Sequence, residues 1–131
     1  MDEQERHSAG MQMRREILGE AHVARAVGAP TDLTSDFQDL ITRYAWGEIW
    51  TRPGLDHRTR RVLVIGTLLA LRQWDQFRFH VRGALTTGGF SIGDLQEIIL
   101  QQAVYCGAPA AHTGMRIARE LVDEIGKEQP V

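Results

Sequence analysis

Apolar residues recur three and four positions apart along most of the chain, and short polar or glycine-rich breaks separate one such run from the next. This spacing places apolar side chains on one face of a helix, whereas a half-buried strand requires alternation of apolar and polar residues. No segment keeps that alternation. The pattern therefore predicts an all-α fold, a compact domain of about six helices over residues 1–131.

Residues that begin and end helices set the expected bounds near the N-terminus. Asp2 and Glu5 have the spacing of a capping box and Gly19 is suited to end a helix, so we expect a first helix at residues 2–19. Residues 20–33 are expected to be irregular, because a Gly-Ala-Pro sequence interrupts them.

The second helix is expected to begin at Thr34 or Ser35 and to end near Gly47, ahead of a loop marked by Pro53 and Gly54. Its apolar residues have the i, i+3, i+4, i+7 spacing of a single buried face. They are Phe37, Leu40, Ile41 and Tyr44.

The remaining four helices follow in close succession. Asp56 is expected to cap a helix over about residues 57–72. The centre of that helix, VLVIGTLLAL, is apolar on nearly every side, so we expect it to be the most buried element. Further helices are expected over about 75–87, 91–107 and 108–126, each ending at or next to glycine, and Ser91 with Asp94 is expected to begin the second of these.

The charge, the hydropathy and the cysteine content of the chain argue against several classes of protein. A net charge of −2 over 131 residues provides no basic surface for nucleic acid or an anionic membrane. The first twenty residues lack the apolar stretch of a secretory signal and no apolar run is long enough to span a membrane, so a cytoplasmic location is expected.

Cys106 is the single cysteine, which excludes an internal disulfide. No histidine pair has metal-ligand spacing, so no metal site is expected.

The stretch YAWGEIWTRPGL, residues 44–55, concentrates aromatic surface and charge at a helix end. Glu48 stands between Trp46 and Trp50, and a carboxyl group flanked by aromatic surface loses hydration, which favours its protonated form and suits a general acid. A solvent-facing glutamate at a helix end is the alternative. The two tryptophans are suited equally to a core, a subunit interface or the wall of a ligand site.

A histidine and several arginines are the other candidates. His80 lies at the edge of an apolar stripe, where it is either a hydrogen-bonded core residue or a functional group. Fourteen of the fifteen basic residues are arginine, and eight of them lie between Arg43 and Arg82. Arginine binds carboxylates through two parallel hydrogen bonds, although a solvated face explains most of these positions equally well.

Four segments together resemble one known family. They are FQDLITRYAWGEIWTRPGL, RTRRVLVIGTLLAL, FHVRGAL and EIILQQAVYCGAPAAHTG. They resemble the carboxymuconolactone decarboxylase family over roughly residues 2–124, with an N-terminal helix at 2–19 and a family core at about 34–124. The resemblance implies an all-helical fold related to the alkylhydroperoxidase D proteins and assembly as a homo-oligomer, either a trimer or a hexamer.

The resemblance also implies a reaction. Gamma-carboxymuconolactone, a dicarboxylate lactone, would lose carbon dioxide to form beta-ketoadipate enol-lactone without a cofactor, as a step of the beta-ketoadipate (protocatechuate) pathway of aromatic catabolism. For that reaction we predict two residues that transfer the proton, three arginines that bind carboxylate and two tryptophans that pack against the lactone ring. These are His80 and Glu48; Arg52, Arg61 and Arg82; and Trp46 and Trp50.

The sequence departs from related patterns at three positions. Thiol-peroxidase relatives carry two cysteines where Gln73 and Gln76 stand, so dithiol chemistry is excluded, and Cys106 lies too far away to replace the pair. Many decarboxylase members have an acidic residue at the position of Gln76, and the common PAAN reads PAAH, ending in His112. Two alternatives therefore stay open: an enzyme of the same scaffold acting on a related lactone or unsaturated acid, and a non-catalytic helical oligomer.

Overall fold

A computed structural model describes residues 1–128, and these residues form seven α-helices and one π-helix with no strand. The helices are α1 (Glu3–Leu18), α2 (Glu20–Val27), α3 (Ser35–Leu40), the π-helix (Ile41–Ile49), α4 (His57–Ala70), α5 (Trp74–Thr86), α6 (Ile92–Cys106) and α7 (Ala108–Glu128). The all-α prediction is confirmed. None of the helices in this described range is both long and apolar enough to cross a membrane.

The chain forms two compact units, one from Met1 to Arg60 and the other from Arg61 to the C-terminus. The expected domain limits stay a prediction, as does the expected cytoplasmic location. Each unit has its own packing, and we describe the two in turn.

Helix α1 begins as the sequence predicts. The Asp2 side chain accepts a hydrogen bond from the backbone N–H of Glu5, whose own side chain accepts one from Asp2, and this reciprocal pair forms the capping box. Gly19 ends the helix with a φ of 91°, a conformation that favours glycine.

The prediction of irregular structure over residues 20–33 is wrong for the first part of that range, because Glu20–Val27 forms α2. Gly19 ends α1 but also precedes the first residue of α2, so the chain turns within one residue. The break comes two turns later at Gly28, whose φ of 54° ends the helix. The Gly-Ala-Pro sequence therefore ends a short helix.

A π-helix replaces the expected end of the second predicted helix. Beyond α3 the backbone changes to i→i+5 bonding, and the Trp50 N–H still donates to the Ala45 carbonyl at 3.1 Å. This wider turn moves the buried positions to Thr42, Trp46 and Gly47.

The predicted buried face of this segment is therefore wrong. Phe37, Leu40 and Tyr44 are exposed in the described chain. The prediction assumed one α-helix with a continuous buried face, whereas α3 has no buried residue and the buried positions lie in the π-helix.

Helix α1 and the π-helix approach each other unusually closely at two glycines. A Cβ atom on Gly10 would lie 1.9 Å from the Thr42 carbonyl oxygen, and one on Gly47 would lie 2.4 Å from the Arg6 carbonyl oxygen. Both neighbours are backbone atoms, which cannot rotate away. Glycine is therefore required at both positions for the two helices to pack at this distance.

The second unit contains the main apolar core, built from α4, α5, α6 and α7. Leu69, Phe77 and Leu121 are fully buried within it. Ser91 and Asp94 form the capping box of α6, as the sequence predicts.

The expectation that the helix after Asp56 is the most buried element is wrong. Only one face of α4 is covered, at Ile65, Gly66 and Leu69 among others, and Leu63 is about half exposed. Its N-terminal cap is as expected, because Asp56 Oδ1 accepts a hydrogen bond from the Thr59 N–H at 2.7 Å.

Candidate functional site

Trp46 and Trp50 form a stacked aromatic pair in the first unit. Their ring centroids are 5.1 Å apart with the planes inclined by 24°, and their residues are only 6% and 7% exposed. His57 lies beside this pair, with its ring centroid 6.4 Å from that of Trp50. The π-helix brings the tryptophans together because it carries Trp46 and ends next to Trp50.

Glu48 makes an ion pair that the sequence did not reveal. Its carboxylate binds Arg6 Nη1 of α1, and the Arg6 guanidinium also binds Glu3 at 3.2 Å and lies 5.5 Å from the centre of the Tyr44 ring. A hydrogen bond from the Tyr44 hydroxyl, 2.9 Å long, lowers the pKa of Glu3. Glu48 is thus part of a surface network that joins the π-helix to α1.

This network bears on the proposed acid role of Glu48. The Glu48 side chain is about half exposed and pairs with the Arg6 guanidinium, and its predicted role as a general acid stays a prediction. Tyr44, expected in the core, belongs to the same surface network.

Arg52 follows the π-helix and is exposed. Its carbonyl oxygen accepts a hydrogen bond from Arg60 Nη2 at 3.3 Å, which ties the turn after the π-helix to the start of α4. The predicted role of the Arg52 guanidinium in binding a carboxylate stays a prediction.

His80 is on α5 in the second unit and is only 8% exposed. Ala84 and Thr87 follow it at i+4 and i+7, so they lie on the same face of the helix. His80 and Thr87 are separated by about 10 Å along the helix axis. By contrast, Gln73 and Gln76, which precede His80 in the sequence, are exposed.

Arg61 reaches the C-terminal end of the same helix. Its Nη2 donates to the Thr87 hydroxyl at 3.1 Å, and Thr87 in turn donates to the Gly83 carbonyl at 3.0 Å. The residue is 4% exposed, and this burial lowers the pKa of its guanidinium. A Cβ atom on Gly88 would lie 2.7 Å from Arg61 Nε, so the glycine leaves room for the guanidinium.

Arg82 is directed towards α7 rather than along the His80 face. It pairs with Glu128 and, at 3.8 Å, with Glu124, while Arg78 pairs with Glu120 at 2.7 Å. These contacts form a row of ion pairs between α5 and α7. Two carboxylates of its own chain therefore contact Arg82, and its predicted role in binding substrate stays a prediction.

The sequence did not predict the roles of two arginines of α1, one that bridges two carboxylates and one that is buried. Arg6 joins Glu3 to Glu48, and Arg14 is buried against the π-helix. The buried face of α1 reads Gly10, Arg14, Ile17, so it has the correct spacing but only one large apolar residue. That helical spacing is the sequence feature that could have indicated that Arg14 is buried.

Comparison with known proteins identifies the family. The family model described as "Carboxymuconolactone decarboxylase family" matches residues 35–120, which is more than half of the chain. The chain belongs to the carboxymuconolactone decarboxylase family. The match includes the π-helix and the whole of α4, α5 and α6, so all seven predicted site residues lie within it.

Individual relatives agree with this assignment. The chain is 40% identical over 126 residues to 4-carboxymuconolactone decarboxylase of Acinetobacter baylyi, covering 96% of this chain and 93% of the relative. It is 34% identical over 116 residues to nitrosuccinic acid decarboxylase of Metarhizium robertsii, covering 88% and 80%. A 48-residue sequence of 4-carboxymuconolactone decarboxylase from Pseudomonas putida is 50% identical over its full length, which is 37% of this chain.

Proposed function

We propose that this protein is a carboxy-lyase that decarboxylates gamma-carboxymuconolactone to beta-ketoadipate enol-lactone in the beta-ketoadipate pathway. The observation that carries the proposal is the 40% identity to a named 4-carboxymuconolactone decarboxylase over 96% of the chain. The buried histidine and buried arginine associated with α5 are chemically suited to the reaction.

The reaction makes three demands on a protein. The bond between the ring and one carboxylate breaks, carbon dioxide leaves, and the electron pair spreads through the ring double bond onto the lactone carbonyl oxygen. A proton then returns to carbon. The protein must hold the retained carboxylate, stabilise negative charge on the carbonyl oxygen and deliver the proton, and none of these steps uses a cofactor.

His80 and Arg61 are our proposed residues for these tasks in the second unit. His80 would donate a hydrogen bond to the carbonyl oxygen or act as the acid, which contributes typically about 10²–10⁴-fold to a rate. Arg61 would bind the retained carboxylate through charge-assisted hydrogen bonds, because its guanidinium is buried, where such bonds are stronger than in water. The roles predicted for Glu48, Trp46 and Trp50 in the first unit are proposed unchanged, with Glu48 as an alternative proton carrier.

The direct test is to incubate the purified protein with gamma-carboxymuconolactone and no added cofactor. We expect release of one carbon dioxide per lactone consumed, together with a change in ultraviolet absorbance as the ring is converted. Absence of both signals from folded protein would contradict the proposal.

A second candidate is supported by the relative from Metarhizium robertsii, which is named as a nitrosuccinic acid decarboxylase. Loss of carbon dioxide from a nitro-substituted acid also leaves a carbanion whose charge moves onto oxygen, so the same type of site would serve. Nitrosuccinate should therefore be assayed beside the lactone. A larger kcat/KM for nitrosuccinate would assign the protein to this second activity.

Arg61→Lys is expected to raise KM for the lactone by about tenfold or more, because lysine keeps the charge but loses the planar fork that binds a carboxylate through two hydrogen bonds. Steady-state kinetics measures the change. Arg119→Lys, a matched replacement of an exposed arginine on α7, should leave KM unaltered.

Thr87→Val distinguishes this role from a structural one. It removes the hydroxyl to which Arg61 Nη2 donates but keeps the guanidinium. If Arg61 only supports the end of α5, both variants will lower the melting temperature and neither will alter KM.

We further propose that the protein is a homo-oligomer, and the outer face of α6 supports this. Val104 and Tyr105 are 79% and 76% exposed, and Leu100 is about half exposed. The opposite face of α6, with Leu95, Ile98 and Ile99, is buried, so this helix is apolar on two sides. Exposed apolar patches of this kind are typical of protein interfaces.

Val104→Asp is expected to convert the oligomer to a smaller species, because a charge at the centre of an apolar interface loses its hydration. Light scattering coupled to gel filtration measures the mass before and after substitution. For the unchanged protein we expect three or six times the mass of one chain. Lys127→Asp, which adds the same side chain at an exposed position of α7, is the control and should keep the parental mass.

A further inference from the structure

The first unit contains a cavity of about 240 Å³. Met11, Val27 and Pro30 supply apolar lining, and Gln38 and Thr42 are among the polar lining residues. An apolar cavity of about 150 Å³ is large enough to hold benzene, so this one has room for a single ring with a small substituent. None of the residues proposed above for decarboxylation lines it.

A buried cation lies behind the polar part of the lining. Arg14 is 6% exposed, and its Nη1 donates to Gln38 Oε1 at 2.8 Å and to Thr42 Oγ1 at 3.3 Å. Its Nε is buried with no acceptor. Both partners are neutral, and within residues 1–128 no carboxylate lies within ion-pairing distance of Arg14. A buried charge without a counter-ion is costly, and an anion nearby would offset that cost.

Two further bases, His22 and Arg25, lie near Arg14. Burial lowers the pKa of His22, and the neighbouring positive charges of Arg25 and Arg14 lower it further. Among the described lining residues Asp39 is the only acid, and it is about half exposed and faces His7 at 3.4 Å. The charge of Asp39 is therefore partly screened by solvent, whereas Arg14 is buried.

We propose that this cavity binds a small carboxylic acid with a compact apolar body, of about the size of benzoate. The ring would contact Met11, Val27 and Pro30. The carboxylate would accept hydrogen bonds from the Thr42 hydroxyl and the Gln38 amide nitrogen, which remain available as donors because Arg14 occupies the oxygen of each side chain. Arg14 would stabilise the bound charge from behind this pair.

Isothermal titration calorimetry of the full chain with benzoate, and separately with the uncharged benzyl alcohol, tests the site. We expect benzoate to bind at least about tenfold more tightly than the alcohol, since only the carboxylate interacts with the field of Arg14. Val27→Trp, which fills the cavity, should abolish binding of both compounds. Arg14→Met should reduce benzoate affinity by about tenfold and leave the alcohol unaffected.

Two further measurements keep the result interpretable. The far-ultraviolet circular dichroism spectrum of Arg14→Met should match that of the parent, so that the loss of benzoate binding would not reflect misfolding. Val27→Trp should decarboxylate the lactone at the parental rate, which separates this site from the proposed reaction. Equal benzoate affinity in the parent and both variants would overturn the proposal and locate the binding elsewhere.

Discussion

His80→Ala is expected to lower kcat/KM for gamma-carboxymuconolactone by about 10²–10⁴-fold, the range over which a positioned proton donor contributes to catalysis. His80 is buried in the middle of α5, so its imidazole is held in one place, as such a donor requires. Steady-state kinetics on the lactone measures the effect. His7→Ala is the control, because it removes a histidine of α1 that has no proposed role in the reaction and should leave turnover at the parental rate.

The alanine substitution also leaves a space where the imidazole was, so lost packing must be separated from lost chemistry. Added imidazole should enter that space and restore part of the activity if His80 transfers a proton or donates a hydrogen bond. Full turnover by His80→Ala would remove His80 from the reaction. Lower activity that follows only a smaller folded fraction, with no response to imidazole, would assign His80 a structural role.

Gly10→Ala is expected to lower the free energy of unfolding of the first unit by about 2–3 kcal/mol, the upper part of the range for overpacking. The added methyl group would lie 1.9 Å from the Thr42 carbonyl oxygen and 2.9 Å from the Gly47 nitrogen. Both are backbone atoms, so α1 and the π-helix must separate to admit it. Urea denaturation followed by tryptophan fluorescence measures the change.

Gly126→Ala is the opposite case and serves as the control. It lies on α7 with nothing within 4 Å of the added Cβ, so the substitution should stabilise the protein by about 0.5–1 kcal/mol through helix propensity alone. A Gly10→Ala protein with the parental denaturation midpoint would contradict the close approach of α1 and the π-helix.

Local signals in the sequence predicted most helix ends. The two capping boxes, at Asp2 and Ser91, depend only on residues three positions apart, and the structure has both. Helices expected at 75–87 and 91–107 begin and end within one residue of those bounds. These features are determined by short-range hydrogen bonds, which a single segment contains in full.

The sequence was less informative where the backbone departs from the α-helical period. The π-helix shifts the buried positions to Thr42 and Trp46, and no composition rule anticipates that change. The environments of Glu48 and Arg14 also depend on partners 42 and 24 residues away, which only the folded chain brings together. For the same reason the candidate site residues could be chosen by chemistry but not grouped by position.

The stacked pair of Trp46 and Trp50 has a spectroscopic consequence. Two indoles 5.1 Å apart couple electronically, so the first unit should contribute a paired positive and negative band to the circular dichroism spectrum. The third tryptophan, Trp74, lies in the second unit, and replacing it with phenylalanine would leave all tryptophan emission in the first. Comparing loss of this tryptophan signal with loss of total helix signal would therefore show whether the two units unfold together or one after the other.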